Sequence, residues 1–137
     1  MRSATVPIIR YLDAKAAMSW LCDAFGFEVF LNVPGVDERI EHARLILGEN
    51  MVMLASLGRD GDFESRFKPP SSIMGVTQCT SLFVENPDEV YEKAVLMGAK
   101  IIDDIADFQF NGRTFSCEDI ENHPWVITSH DPWEKSW

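Results

Sequence analysis

The sequence predicts an α+β fold made of two βαβββ modules within one domain. Both halves of the 137-residue chain show the same order of predicted elements, which is strand, helix, strand, strand, strand. The residues that cap the two predicted helices, Asp13 and Asn86, are 73 positions apart, and the last strands match at the same offset, with Met53 corresponding to Val126. A repeat of this length is too long for a solenoid unit. The duplication therefore predicts two modules whose sheets join around one shared surface.

The first module is expected to span residues 5–57. Its predicted strands are apolar or alternating runs, TVPIIRYL (5–12), FEVFLNV (27–33), ERIEHARLIL (38–47) and MVMLASL (51–57). After the first strand, Asp13 is a good helix cap, and Gly26 is a typical helix end. Between them, apolar residues recur at helical spacing on one face: Ala17, Trp20, Leu21, Ala24 and Phe25.

Residues 58–75, GRDGDFESRFKPPSSIMG, combine Gly, Pro, Ser and mixed charge without a period, which indicates a linker or a mobile flap. The second module then spans residues 76–130, and residues 131–137 form a C-terminal tail. Asn86 and Pro87 begin its helix and Gly98 ends it. Its strands are predicted at VTQCTSLFVE (76–85), KIIDDIADF (100–108), GRTFSCED (112–119) and PWVITSH (124–130).

Composition narrows the class of protein and its partners. The chain is 46% hydrophobic and 25% charged, which is typical of a globular domain, and no apolar run is long enough to span a membrane. The N-terminal residues lack the pattern of a secretory signal, so we expect a cytoplasmic protein. The formal net charge of -10 argues against nucleic acid and anionic membrane surfaces as partners, and it favours a cationic small molecule. The three cysteines show no CxxC spacing, so neither a disulfide framework nor a zinc knuckle is expected.

Four segments together resemble the vicinal oxygen chelate superfamily, which includes glyoxalases, bleomycin resistance proteins and extradiol dioxygenases. They are PIIRYLDAKAAMSWLCDAFGFEV (7–29), HARLILGENMVML (42–54), FVENPDEVYEKAVLMGAKI (83–101) and GRTFSCEDIENHPWVITSHDPW (112–133). The resemblance implies that the paired modules form a cupped mixed β-sheet, that the chain is a homodimer, and that ligands bind inside the cup. It also implies that CEDIENHPWVITSH (117–130) contains the turn between the last two strands, with His123 on the surface.

Enzymes of the superfamily hold a divalent metal ion with side chains from four cup-facing strand positions. In this chain those positions correspond to Val6, Met53, Cys79 and Val126. Valine has no lone pair to donate, and a thioether is a poor ligand for the hard divalent ions. We therefore expect no metal ion and no other cofactor. No catalytic residue is assigned, because the chain contains no GxSxG motif and no cysteine in a recognisable protease or transferase motif.

Strand alternation identifies the side chains that would face the cup. Residues two apart on a strand point to the same face of the sheet. If the four expected metal positions face the cup, the residues two and four positions away on the same strands also face it. Trp133 follows Pro132 in the tail, where its indole could stack on a ligand or cover a partner chain. The predicted ligand-binding residues are Ile8, Arg10, His42, Arg44, Met53, Phe83, Val126, Thr128 and Trp133.

The resemblance is greatest to the metal-free, antibiotic-binding branch of the superfamily. It implies metal-independent binding and sequestration of a small organic molecule, such as an antibiotic or another natural product, in drug resistance or self-protection. The expected ligand is aromatic or cationic. Two alternatives remain: a metal-dependent lyase, isomerase or dioxygenase that uses other ligands, and an interaction module whose cup binds nothing. The apolar metal positions favour a binding protein over an enzyme.

Overall fold

The computed structural model describes residues 3–109 and 111–135, and it contains two four-stranded mixed sheets with helices against them. Module 1 consists of β1 (Ile8–Tyr11), α1 (Ala14–Phe25), β2 (Glu28–Pro34), β3 (Ile40–Leu47) and β4 (Asn50–Ser56). A 3₁₀ turn at Glu64–Arg66 and the short helix α2 (Pro70–Ile73) follow. Module 2 consists of β5 (Thr80–Phe83), α3 (Pro87–Leu96), β6 (Lys100–Asp107), β7 (Arg113–Glu118) and β8 (Pro124–Thr128). The last two residues of the predicted tail lie outside the described residues.

The two sheets have the same topology. Sheet A has the strand order β1-β4-β3-β2, and sheet B has the order β5-β8-β7-β6. The first strand of each module pairs in parallel with the last, and the other pairs are antiparallel. Ile8 pairs with Met53 in sheet A, and Ser81 pairs with Val126 in sheet B, so the register also repeats at an offset of 73 positions. The predicted pair of βαβββ modules is confirmed.

The predicted helix caps are present in both modules. The Asp13 carboxylate accepts a hydrogen bond from the backbone N–H of Ala16 at 3.0 Å, and the Asn86 side chain accepts one from Glu89 at 3.4 Å. Gly26 ends α1 with a φ of 88°, a conformation that glycine adopts without the steric cost of a Cβ atom. These caps fix where each helix begins relative to the strand before it.

The 58–75 segment is more ordered than the sequence indicates. It contains the 3₁₀ turn and α2, and Pro70 occupies the first turn of α2, where the missing N–H costs nothing. Each of these elements is a single turn, which is too short to produce a hydrophobic period. β1 and β5 also begin at Ile8 and Thr80, later than predicted.

The core forms where the helices cover one face of each sheet. Trp125 of β8 is fully buried, and the rings of Phe25 and Phe27 meet it edge-on at centroid distances of 5.1 and 6.0 Å. Trp20 is also buried, as predicted, and its indole N–H donates to the carbonyl of Met97 at 2.9 Å. The two modules therefore share a single core, in which α1 packs against α3.

A buried carboxylate joins the two modules. Asp119 lies in the turn between β7 and β8 and is only 5% exposed. Its Oδ2 accepts hydrogen bonds from the Tyr11 hydroxyl at 2.5 Å and the Trp125 indole at 3.0 Å. Its Oδ1 accepts the backbone N–H groups of Glu121 and His123. One side chain thus holds the β7–β8 turn in shape and attaches it to the end of β1.

The turns of each module also bind the first strand of the other. The Glu121 carboxylate accepts the backbone N–H groups of Leu12 and Asp13, at 2.7 and 2.8 Å, where β1 passes into α1. In the reciprocal position, the Asn50 amide donates to the carbonyl of Phe83 at 2.8 Å, at the end of β5. These contacts fix β1 and β5 relative to each other.

The expectation that His123 lies on the surface is wrong. Its imidazole is half-buried, with Nε2 3.2 Å from the carbonyl of Arg10 and the ring edge-on to Tyr11. The polar residues of the 117–130 stretch therefore have a structural role in joining the modules. The sequence could not indicate this, because the partners lie more than a hundred positions away.

No helix among the described residues is long and apolar enough to cross a membrane. The cytoplasmic location and the exclusion of nucleic acid stay predictions.

Asp119→Asn is expected to destabilise the protein by about 2–3 kcal/mol, because in either orientation the amide N–H₂ would meet groups that can only donate, either the Trp125 indole or the backbone N–H groups of Glu121 and His123. Urea unfolding measures this loss. Asp60→Asn is the matched control, because Asp60 is exposed and makes no side-chain hydrogen bond among the described residues, and it should stay within about 0.5 kcal/mol of wild type. Equal effects of the two substitutions would contradict the role of Asp119.

The buried hydroxyl of Tyr11 is expected to make the free energy of unfolding decrease at alkaline pH. Burial, reinforced by the negative charge of Asp119 and the hydrogen bond to it, raises the pKa of Tyr11 well above 10.0. The folded state therefore keeps this proton when the unfolded chain loses it, and stability should fall above pH 10 by about 1.4 kcal/mol per pH unit. Tyr11→Phe lacks this contribution, so the free energies of unfolding of the two proteins should converge between pH 10 and 11. A constant difference over this range would contradict the assignment.

Candidate functional site

The face of sheet A that points away from α1 carries five of the predicted ligand-binding residues. Ile8, Arg10, His42, Arg44 and Met53 alternate with residues that are buried under the helix, such as Leu54 and Leu45. The pairing register brings them into adjacent rows. Met53 pairs with Ile8 on one side and with Arg44 on the other, and Arg10 pairs with Ala55 in the next row. We call this surface the inner face of sheet A.

One end of this inner face is covered by the 58–75 segment. The Arg10 guanidinium, 8% exposed, donates two hydrogen bonds of 2.9 Å to the Glu64 carboxylate, and it lies 4.6 Å from the centre of the Phe67 ring. The hydrogen bonds from Arg10, with the charges of Arg10 and Arg59, lower the pKa of Glu64. The predicted flap is thus anchored on the inner face by an ion pair and a cation–π contact.

The other end of the inner face remains open and positively charged. The Arg44 Nε donates to the His42 Nε2 at 2.9 Å, so this imidazole nitrogen is unprotonated. Burial, and then the charges of Arg44, Arg10 and Arg59, lower the pKa of His42, so the ring is neutral at pH 7. Arg59 pairs with Glu41 at 2.6 Å. Within residues 3–109 and 111–135, no carboxylate lies within 4.0 Å of the Arg44 guanidinium.

The inner face of sheet B is apolar and hydroxyl-bearing. Phe83 pairs with Thr128, and Ser81 pairs with Val126, on the face opposite to the buried Leu82 and Ile127. The predicted residues Phe83, Val126 and Thr128 therefore share one surface. Trp133 lies beyond β8, and its side chain is 84% exposed. It approaches neither inner face through a hydrogen bond or ring contact in the part of the chain that is described.

An open cleft of about 950 Å³ separates β1 from β5, and residues of the 58–75 segment and the β7–β8 turn close its sides. Of the predicted residues, Ile8 and Arg10 line it, next to Cys79 and Ser81. No strand of sheet A pairs with a strand of sheet B among the described residues, and the other predicted ligand-binding residues do not line this cleft. Their role in ligand binding stays a prediction.

Glu64 and Phe67 are site residues that the sequence did not identify individually. Phe67 belongs to the segment that was predicted only as a linker or mobile flap, and its ring contacts the Arg10 guanidinium on the inner face. Glu64 gave no signal, because it is one of several acidic residues in a segment without a period.

The side chains at the expected metal positions do not fit a divalent ion. Val6 and Val126 have no donor atom, and Met53 and Cys79 belong to different modules. Arg44 pairs directly with Met53, so a cation here would also meet a guanidinium charge. Within the described residues, no group of three or more His, Cys, Asp and Glu side chains is arranged to hold a metal ion.

The cysteines also lack the features of a nucleophile. Burial, with the charges of Asp119 and Glu118, raises the pKa of Cys117 to about 12, and burial also raises that of Cys22. Cys79 is exposed and hydrogen-bonds to no histidine among the described residues. Thiolate chemistry requires a lowered pKa or an adjacent base, so these thiols are poor candidates for catalysis.

Two βαβββ modules around an open cleft define a glyoxalase-type fold. The family model for the glyoxalase/bleomycin resistance protein/dioxygenase superfamily matches residues 5–127, so the chain belongs to this superfamily.

Solved structures with the same fold include proteins of different organisms. TioX from Micromonospora sp. ML1 is 28% identical, with a TM-score of 0.72, over 92% of this chain and 94% of that one. UcmS2 is 20% identical, with a TM-score of 0.71, over 94% and 99% of the two chains. The fosfomycin resistance protein FosX from Listeria monocytogenes is 11% identical, with a TM-score of 0.64, over 96% of each chain. UcmS2 and FosX are less than 25% identical to this chain, so their similarity shows the fold alone. No curated protein sequence matches the chain significantly.

Glu64→Gln is expected to loosen the 58–75 segment, because a neutral amide cannot form the paired charge-assisted bonds to Arg10. Amide hydrogen exchange in this segment should become faster, while exchange in β3 and β4 stays unchanged. The wild type should behave in the same way as the pH falls below 4.5 through the lowered pKa of Glu64, because protonation removes its charge. Glu92→Gln on the exposed side of α3 is the control, and equal exchange in both variants would contradict the anchoring role.

Proposed function

We propose that this protein binds and sequesters a small organic molecule without a metal ion, and that the molecule is an antibiotic or another natural product. The observation that carries the proposal is the inner face of sheet A. There, apolar side chains and guanidinium groups occupy the region in which enzymes of the superfamily hold their metal. Such a surface can bind a ligand by apolar burial and hydrogen bonding, but it provides no Lewis acid.

The family and its structures support a role in resistance. The superfamily includes bleomycin resistance proteins, and FosX is a fosfomycin resistance protein of the same fold. FosX supports the proposal only through that fold. The apolar and hydroxyl-bearing inner face of sheet B agrees with an organic ligand that stacks and accepts hydrogen bonds.

We further propose that the protein is a homodimer and that the second copy completes the binding site. β2, at the edge of sheet A, exposes Val29, Phe30, Leu31 and Val33 by 36–59%, which is unfavourable for an isolated chain in water. The edge strand of a sheet also has unpaired backbone N–H and C=O groups, which another chain can pair with or cover. Coverage by a second copy would bury these side chains and close the open side of the inner face.

Metal dependence separates sequestration from metal-dependent catalysis. The protein as purified is first analysed for bound metal. It is then titrated, before and after dialysis against EDTA, by tryptophan fluorescence against a panel of intercalating and glycopeptide antibiotics. We expect less than one metal ion per protein chain. We also expect at least one compound to bind saturably, with an affinity that EDTA treatment does not change. A stoichiometric divalent ion would overturn the proposal. A flat response to the whole panel, without a shift in melting temperature, would favour an interaction module instead.

Phe30→Asp is expected to convert the dimer to a monomer, because burying an unpaired carboxylate at an interface is costly. Light scattering after size exclusion measures the mass. Leu96→Asp is the control, because Leu96 is 84% exposed on α3, and it should stay dimeric. A wild-type protein with the mass of one chain would contradict the dimer.

A further inference from the structure

We propose that the ligand carries an acidic group, and that Arg44 on the inner face of sheet A binds it. This inference rests on the proposed function, because it specifies the chemistry of the molecule that is bound. The sequence leaves an aromatic ligand and a cationic ligand as alternatives. The present inference selects an aromatic ligand that carries a negative charge.

The local charge of the inner face is opposite to that of the whole protein. The chain carries a formal net charge of -10. Three arginines, Arg10, Arg44 and Arg59, nevertheless act together on His42, and all three lower its pKa. Glu41 and Glu64 neutralise Arg59 and Arg10. The charge of Arg44 remains without a carboxylate partner in the described part of the chain.

The surroundings of Arg44 favour a bound carboxylate. Its side chain is half-buried, and its Nε is already oriented by the bond to His42. The remaining guanidinium nitrogens can donate to an oxyanion with little further loss of conformational freedom. Met53 and Leu31 pair with Arg44 on the two neighbouring strands and provide an apolar wall for the rest of the ligand.

The Arg10 end of the same face already shows how such a ligand is held. There, one guanidinium binds the Glu64 carboxylate through two hydrogen bonds and contacts the Phe67 ring at the same time. A carboxylate and an aromatic ring are thus accommodated together on this surface. A cationic ligand would instead meet Arg44, and it would gain only from carboxylates that are already paired.

A matched set of aromatic probes tests the inference. The wild-type protein is titrated with 2-naphthoate, its methyl ester and 2-naphthylmethylamine, and binding is followed by calorimetry and by amide chemical shifts of β3 and β4. We expect 2-naphthoate to bind about tenfold more tightly than the ester, because only the acid can form a charge-assisted hydrogen bond with both partners charged. The amine should bind most weakly.

Two variants and a control test whether Arg44 causes the preference for the acid. Arg44→Gln should abolish the preference for the acid, so that the acid and the ester bind this variant equally. Lys93→Gln, which makes the same change in net charge on exposed α3, should keep the preference. Glu64→Gln should strengthen acid binding several-fold by freeing Arg10, and it provides an independent test if Arg44→Gln does not fold.

The outcomes separate the inference from the proposed function. Equal affinity for the acid and the ester, tighter binding of the amine, or a preference that survives Arg44→Gln would overturn the inference and leave small-molecule binding standing. An absence of binding by all three probes at millimolar concentration would overturn the inference, and the antibiotic titration would still decide the proposed function.

Discussion

The buried carboxylate of Asp119 is the interaction on which the arrangement of the two modules depends. It accepts hydrogen bonds from a tyrosine of β1, a tryptophan of β8 and two backbone N–H groups of its own turn. A buried carboxylate is stable only with such partners, so these hydrogen bonds hold the turn, β1 and β8 together. The contacts of Glu121 and Asn50 add to them in fixing β1 relative to β5 across the cleft. The polar residues of the last turn are therefore required by the fold, and the inner faces of the sheets remain available for a ligand.

The inner face of sheet A combines two features that bear on what it can bind. Its strand pairing places the thioether of Met53, at a position where the resemblance implies a metal ligand, between Ile8 and Arg44. The first feature removes the donor atoms for a cation, and the second opposes a cation electrostatically. Both features favour an organic ligand held by stacking, apolar burial and hydrogen bonds. The 58–75 segment already binds one end of this face through the contacts of Arg10 with Glu64 and Phe67.

Much of the fold could be predicted because its signals are local or repeated. Asp13, Asn86 and Gly26 mark the helix ends through backbone hydrogen bonding, and strand alternation assigns Ile8, Arg10 and Met53 to one face. The features that could not be predicted depend on distant partners. His123 contacts β1 across the module boundary, and Glu64 pairs with Arg10 over 54 positions. The net charge of the whole chain is also a poor guide to the charge of the inner face. It sums the charges of all residues, whereas a few arginines are concentrated on this one surface.

The most direct test of the central claim is a crystal structure of the protein soaked with both manganese chloride and 2-naphthoate, with anomalous data collected for manganese. The account predicts naphthoate density beside Arg44, with its carboxylate on the guanidinium, and no anomalous peak near Val6, Met53, Cys79 and Val126. A manganese peak on those strands, bonded to at least three protein atoms, would contradict it.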